Sequence, residues 1–322
     1  MAAVVKGGGS GCFPLLNNAL TTIQIMSLSP GSKPGSTVRG IALFVLATFG
    51  FACLDTYVKY MTRDYHPVQI AWGRYVFHLA FVMVLMTRHG GLRMFRSARP
   101  WFQIGRAIPL MIATLLFFSA LTFMPIADVV ATMFVGPLLV TAMAFFVLKE
   151  KVGPRRWTAI GAGFVGMLII IRPGFGVVHW GASILIIAAL SSAWYHLATR
   201  MIAGIDSAQT TLLYTGLVGT IGFSLLVPFF WRPLDAFGWT QMVFVGVLAG
   251  ISHYILIHAY THAPASTLSL YSYSSLFWVT LLGYYFFGEF PDAPTIAGAL
   301  IIVLSGVYVF YREAYLRRLG KI

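Results

Sequence analysis

The chain is dominated by apolar runs of about 20 residues that follow one another with short breaks from Arg39 onward. Each run is long enough to cross the ~30 Å hydrocarbon core of a bilayer as an α-helix. An open sheet could not satisfy its backbone hydrogen bonds in lipid, so the pattern predicts an all-α membrane protein. Ten spans are expected, at residues 40–61, 67–87, 102–123, 127–148, 156–172, 180–199, 208–230, 239–260, 264–287 and 294–311.

The composition excludes a water-soluble protein. Hydrophobic residues make up 58% of the chain and charged residues only 10%, against about 25% charged in soluble proteins. One soluble core could not hide that much apolar surface. The Gly/Ser-rich segment 1–37 is expected to be a disordered tail, and it contains Met26 as an alternative start. Residues 313–322 are expected to form a basic tail.

The basic residues decide the predicted orientation. If the N-terminus is cytoplasmic, sixteen Lys and Arg residues fall in inside segments and four in outside segments. Cytoplasmic loops carry the excess of Lys and Arg, so both termini are predicted to lie inside, in the cell (inner) membrane. The net charge is +13, and its basic residues lie at the ends of the spans. They form no single patch that would bind nucleic acid. Arg106 is close enough to a boundary for its guanidinium to reach water.

Two apolar runs end on a glutamate. Glu150 is crowded by basic residues in "VLKEKVGPRRW", whereas Glu289 in "FFGEFPDAP" has no Lys or Arg near it in the sequence. A shift of 139 residues superimposes the two, and it also lays Pro125 on Pro264 and Thr141 on Thr280. Five spans per half would make the second half enter the membrane inverted, a recurrent plan of secondary transporters.

The sequence resembles the EamA branch of the drug/metabolite transporter superfamily. The likeness rests on five plus five spans, on "ADVVATMFVGPLLVTAMAFFVLKEKV" and its partner "APASTLSLYSYSSLFWVTLLGYYFFGEF", and on "AWGRYVFHLAF" around Arg74. Pro137 in the fourth span is one of its marks, and the second half has Leu276 there, so equal mobility of the two helices is not expected. The repeats are placed at residues 38–173 and 174–312.

What the resemblance implies is a basket of ten helices that moves a small metabolite by alternating access through a central cavity. The opening spans resemble members proposed for vitamin or nucleoside-like cargo. An amino-acid or drug exporter of the same fold is an alternative. A multispanning membrane enzyme is an alternative of another class, but no HExxH, GxSxG or P-loop motif occurs. No catalytic residue, metal or cofactor is therefore assigned, and a homodimer is left open.

Two charged residues lie deep in the first two spans. Asp55 and Arg74 are both about 10 Å below the same predicted boundary, on adjacent antiparallel helices, so they are expected to pair. The pair could hold the two spans together, or Arg74 could bind substrate in one state. Glu150, Glu289, Asp55 and Pro137 are interpreted as structural or gating residues.

Polar and aromatic side chains inside the spans supply the candidates for a substrate cavity. His78 follows Arg74 by one helical turn, and His253 lies near the middle of the eighth span; each could form an interhelical hydrogen bond or carry a coupled proton. The aromatic and hydroxyl residues could pack helices together or line a cavity and stack a planar ligand. The candidates are Arg74, His78, Trp194, His253, Tyr254, Tyr271, Ser274 and Trp278.

Overall fold

The computed structural model describes residues 34–87, 95–149, 153–172, 179–202, 205–263 and 265–318. Within those ranges the chain is almost entirely helical and contains no extended strand. A short 3-10 turn, Val227–Phe230, extends the eighth helix. The helices in chain order are α1 (Pro34–Met61), α2 (Pro67–Thr87), α3 (Pro100–Ala120), α4 (Ile126–Met133), α5 (Gly136–Leu148), α6 (Pro154–Ile171), α7 (His179–Ile202), α8 (Ala208–Leu226), α9 (Ala236–His262), α10 (Ala265–Tyr271), α11 (Ser274–Phe287) and α12 (Ala293–Arg318).

Among the described residues, seven segments are long and apolar enough to cross a membrane, judged by length and composition. They comprise α1, α3, α4 with α5, α7, α8, α9 and α12. The other expected spans correspond to α2, α6 and the broken pair α10–α11, which lie outside that set. The chain is thus a multi-pass membrane protein, and the count of ten spans remains a prediction.

The two predicted tails need correction at their inner edges. Residues 34–37 belong to α1, whose first residue is Pro34; proline is tolerated in the first turn of a helix because its missing N–H has no partner there. Residues 313–318 continue α12 beyond the predicted end of the last span. Residues 1–33 and 319–322 lie outside the described ranges.

The fourth and ninth apolar runs are each broken in the middle. At the first break the amides of Phe134 and Val135 bond three residues back, as in a 3-10 turn, and Pro137 opens the next helix. At the second break Ser275 and Leu276 bond three residues back in the same way. The second break forms without a proline, and the unequal mobility of the two helices remains a prediction.

The helices α5 and α11 also end alike. Lys149 closes α5 and Gly288 closes α11, both in the left-handed region with φ of 54° and 69°. These residues are 139 positions apart, the shift that aligns Glu150 with Glu289. Glycine adopts this conformation without cost, whereas a lysine is held there against steric strain. Each paired glutamate therefore follows a left-handed helix end in sequence.

Helix contacts correspond between the halves. α1 packs on α9 as α7 packs on α3, and α2 packs on α9 as α8 packs on α3. α1 also packs on α11 as α5 packs on α7, while α2 contacts α8 and α6 contacts α12. The arrangement is preserved when the five segments of one half are exchanged with those of the other, which is consistent with a two-repeat fold.

The contact between α6 and α12 depends on two glycines. A Cβ on Gly166 would lie 2.7 Å from the carbonyl oxygen of Gly298, closer than real Cβ atoms approach. A Cβ on Gly298 would likewise lie 2.5 Å from the carbonyl oxygen of Gly166. The two backbones therefore touch at this point, as small residues allow between helices in membranes.

Candidate functional site

Two histidines meet where α2 packs against α9. The imidazole rings of His78 and His253 stack with centroids 5.0 Å apart and planes 26° apart. Phe51 of α1 lies edge-on to His253, at 4.8 Å between ring centroids. Nδ1 of His253 lies 2.9 Å from the carbonyl oxygen of Ala249, and it must be the donor because a carbonyl only accepts. Nε2 of His78 is buried and has no hydrogen-bond partner in the described chain.

Arg74 lies one turn from His78 on α2 and forms no ion pair with a described acidic residue. Its guanidinium carbon sits 5.6 Å from the ring centroid of Tyr75 and 5.5 Å from that of Phe118 on α3. Such cation–π contacts contribute roughly 0.5–2 kcal/mol. The hydrogen bonds and ion pairs of the described residues do not include the Arg74 guanidinium, which leaves its N–H groups able to bind another molecule.

The expected ion pair between Asp55 and Arg74 is absent from the described chain. Asp55 follows Phe51, which packs on His253, by one turn of α1 and therefore shares that helix face. The rings of Tyr75 and Phe118 hold the guanidinium instead. Asp55 thus belongs to the same interior region without being locked to the arginine.

Asp55, Arg74, His78 and His253 together form what we call the interior polar cluster. Arg74 and His78 share a face of α2, His253 stacks on His78, and Asp55 shares a face of α1 with Phe51, which contacts His253. A buried polar atom without a partner costs about 1–3 kcal/mol. Arg74 and the free Nε2 of His78 therefore provide hydrogen-bonding capacity that no described residue uses.

The candidates on α10 and α11 are placed beside α1. The indole ring of Trp278 lies edge-on to Phe49 at 5.2 Å, and its Nε1 is buried without a partner in the described chain. Oγ of Ser274 lies 2.8 Å from Oγ1 of Thr48 and donates to the carbonyl oxygen of Tyr271. Tyr271 itself is 39% exposed. Trp278 and Ser274 are thus interhelical contacts to α1, and Trp278 adds a second unused donor.

Two other aromatic candidates are partly exposed. Trp194 of α7 is 40% exposed and Tyr254 of α9 is 42% exposed. The ring of Tyr254 packs at 4.5 Å on His258, one turn along its own helix.

An ion pair ties three helices together near the end of α1. Nζ of Lys59 lies 2.6 Å from Oε1 of Glu289 and also donates to the carbonyl oxygen of Met124 at 2.7 Å. Oε2 of Glu289 accepts from the amide of Ile126 at 3.2 Å, at the positive N-terminus of α4. This glutamate, isolated from bases in the sequence, is thus paired in space. Its counterpart Glu150 lies outside the described residues.

A second network lies near the start of α3. Arg106 is only 1% exposed, so the expectation that its guanidinium reaches water is wrong. It donates to Gln103, Thr199 and Thr215, and to the carbonyl oxygen of Thr211, at 2.8–3.1 Å. The guanidinium stays buried because hydrogen bonds to these acceptors, which come from α3, α7 and α8, take the place of hydrogen bonds to water. Its guanidinium carbon also lies 4.9 Å from the ring centroid of Tyr195.

Gln103 links this arginine to a loop carboxylate. Its Nε2 donates to Oδ2 of Asp206 at 2.8 Å, and the Ala98 amide donates to Oδ1 at 2.8 Å. Partial burial alone would raise the pKa of Asp206, but hydrogen bonds from Ser97, Gln103 and Ala98 outweigh it and hold that pKa below its usual value. The carboxylate is therefore ionised at neutral pH and anchors the connection between α7 and α8 to α3.

Sequence reasoning missed Lys59 and the Arg106 network as site features. Lys59 follows Asp55 by one turn, and Gln103 precedes Arg106 by three residues, so each polar pair shares a helix face. That spacing indicates a polar face. It does not identify partners 230 or 93 positions away, such as Glu289 or Thr199.

Comparison with known proteins assigns the chain to a family. The family profile described as "EamA-like transporter family" matches residues 38–172 and again residues 179–311. The chain belongs to the EamA-like transporter family. This family lies in the drug/metabolite transporter superfamily, and the chain is accordingly a membrane transporter.

Three relatives are named for different transported compounds. An S-adenosylmethionine uptake transporter of Rickettsia prowazekii is 24% identical, with 86% of this chain and 94% of the relative covered. A riboflavin transporter of Rhizobium johnstonii is 27% identical over 87% and 94%. A pseudopaline exporter of Pseudomonas aeruginosa is 23% identical over 83% and 94%.

A solved crystal structure shares the fold. It matches with a TM-score of 0.59 and 18% identity, covering 84% of this chain and 96% of the other. At that identity the match supports the fold alone.

Proposed function

We propose that this transporter moves a small metabolite across the cell (inner) membrane by alternating access, with the interior polar cluster as its substrate site. In this proposal ten spans form two inverted repeats, at residues 38–173 and 174–312, and both termini are cytoplasmic. The single observation that carries the site is Arg74, held by two aromatic rings, next to a histidine whose Nε2 is unpaired. A polar ligand would form hydrogen bonds with both the Arg74 guanidinium and Nε2 of His78.

The cargo we favour is a planar heteroaromatic compound of the vitamin or nucleoside-like class. Arg74 and Nε2 of His78 offer hydrogen bonds to ring nitrogens and carbonyls, and aromatic rings surround both groups. The named cargo of two relatives, riboflavin and S-adenosylmethionine, contains such rings and supports this choice. A second candidate, export of an amino-acid-derived compound or a drug, is favoured by the relative named as a pseudopaline exporter.

The two polar networks would close the site at opposite ends. Lys59 and Glu289 join α1, α4 and α11 near one end, which we assign to the outside. Arg106, Gln103 and Asp206 join α3, α7 and α8 near the other, which we assign to the cytoplasm. Glu289 is then a gating residue, and the breaks at Phe134 and Tyr273 are the places where the helices bend.

The test combines binding with transport. Purified protein would be screened by thermal stabilisation against riboflavin, S-adenosylmethionine, nucleosides, amino acids and organic cations, and each stabilising compound would be used in proteoliposome counterflow. The proposal expects saturable counterflow of a heteroaromatic compound with no chemical change. Counterflow of amino-acid compounds alone supports the second candidate. Chemical conversion of the compound in place of counterflow overturns the transporter mechanism.

A further inference from the structure

A cavity of about 400 Å³ lies along α1 between α9 and α11, and the interior polar cluster contributes no residue to its lining. Its walls are mainly the rings of Tyr57, Phe244, Phe286 and Phe287. Phe244 and Phe286 are 49% and 59% exposed, so the cavity is an open groove. Because its lining is mostly aromatic and aliphatic, the occupant that fits the groove is apolar.

The length of the groove matches one leaflet. It extends along α1 from Cys53 to the end of the helix at Met61, which is about 12 Å at the helical rise. One leaflet contributes about 15 Å to the hydrocarbon core. An extended chain entering beside Arg63 would therefore end near the middle of the membrane.

The mouth of the groove carries an arginine without an acidic partner. The guanidinium carbon of Arg63 sits 5.8 Å from the ring centroid of Tyr60 and 5.4 Å from that of Phe287. The ion pairs among described residues do not include Arg63, although Asp64 follows it in the chain. Lys59 is neutralised by Glu289, and Arg232 donates to the backbone oxygen of Asp64. Arg63 is therefore left as a cation that no described carboxylate pairs with.

We propose that this groove binds an anionic phospholipid of the leaflet on the Glu289 side, with one acyl chain between α9 and α11 and the phosphate on Arg63. The aromatic rings at the mouth suit the membrane interface, where such rings are enriched. The chain would contact Phe287, whose ring also lies 5.4 Å from Nζ of Lys59. A bound lipid thus braces the Lys59–Glu289 contact, a role separate from substrate binding.

The experiment is native mass spectrometry of the full chain in detergent, titrated with phosphatidylglycerol or with phosphatidylcholine of the same acyl chains. A surface arginine contributes about 1 kcal/mol toward an anionic lipid, which is about a five-fold preference. We expect the native protein to retain phosphatidylglycerol about five-fold better, and Arg63→Gln to remove that preference. The matched control is Arg39→Gln, an exposed arginine at the opposite end of the same helix.

Two further arms separate the chain from the headgroup. Cys53→Phe fills the bottom of the groove and should weaken retention of both lipids. Inorganic phosphate should not displace the lipid, because it lacks the chain. Equal retention of both lipids by the native protein, an equal loss in Arg39→Gln, or displacement by inorganic phosphate would overturn the proposal. If Cys53→Phe does not fold, the comparison of Arg63→Gln with Arg39→Gln still decides.

Discussion

The rings of Phe134 and Tyr273 meet with centroids 5.1 Å apart and planes 37° apart. These residues are 139 positions apart, and each lies at the break of its own half. The two broken helices thus touch each other at corresponding points. A movement that bends one of the helices would therefore change its contact with the other.

We predict that Phe134 and Tyr273 stabilise the protein cooperatively. Aromatic pairs contribute about 0.5–1.5 kcal/mol beyond the area they bury. Phe134→Leu and Tyr273→Leu should each lower the melting temperature, and the double variant should lose less than the sum of the two. The measurement is thermal unfolding in detergent. Additive losses would show that the two breaks are independent. Phe277→Leu, at a 62% exposed ring on α11, is the control.

We predict that Gly166→Ala destabilises the contact between α6 and α12. Overpacking costs about 1–3 kcal/mol, while alanine returns up to about 1 kcal/mol of helix propensity. The net effect on melting temperature should be a decrease, read from the same thermal unfolding assay. Gly161→Ala lies on the same helix with nothing within 4 Å of the new methyl group, and it should leave the melting temperature unchanged or raise it. The glycine contact is refuted if both variants behave alike.

We predict that exchanging the charges of Lys59 and Glu289 restores the stability of the protein only in part. Lys59→Gln leaves Glu289 bound to the Ile126 amide but without its cation, and the melting temperature should fall by on the order of 5 °C. The swapped variant Lys59→Glu with Glu289→Lys restores the opposite charges. A lysine cannot accept from the Ile126 amide and is disfavoured at the N-terminus of α4, so recovery should be incomplete. Full recovery would show that Glu289 does not cap that helix.

The pair formed by Arg172 and Asp292 predicts a pH dependence. A hydrogen bond from Arg172 lowers the pKa of Asp292 to about 2. A carboxyl with a depressed pKa contributes stability above its unfolded pKa of about 3.9, and that contribution is lost as the pH falls through about 2. Asp292→Asn keeps a side chain that can cap α12 through the Thr295 amide, so it removes only the charge.

The expected result is a difference in melting temperature between native protein and Asp292→Asn that is constant from pH 7 to pH 5. It should shrink only below about pH 4. The difference should be small, because both side chains are partly exposed and solvent screens them. A difference that disappears already at pH 5 would contradict the lowered pKa.

Local pattern predicted much of the helical framework. The run at 67–87 coincides with α2, and the run at 40–61 ends with α1 at Met61. Pro137 marks one break because its ring and missing N–H disrupt a helix. The break at Tyr273 has no such residue, and tertiary contact with Phe134 accompanies it instead. A contact between residues that are distant in the chain cannot be predicted from the local sequence pattern.

The candidate site was predicted in part. His78 and His253 were selected as polar residues within apolar spans, and the structure brings them together. The partner of Arg74 was not predicted, because depth in the membrane locates a charge along its helix but does not say which way the side chain turns. Lys59 was passed over because its partner Glu289 follows 230 positions later.

The central claim is that the interior polar cluster binds the transported metabolite. The most direct measurement is competitive counterflow of the stabilising compound in proteoliposomes, comparing His253→Ala with His258→Ala on the same helix, and Arg74→Gln with Arg39→Gln. We expect His253→Ala and Arg74→Gln to raise the half-saturating concentration at least ten-fold, about 1.4 kcal/mol. The two controls should transport as the native protein does. Unchanged half-saturation in folded His253→Ala and Arg74→Gln would contradict the account.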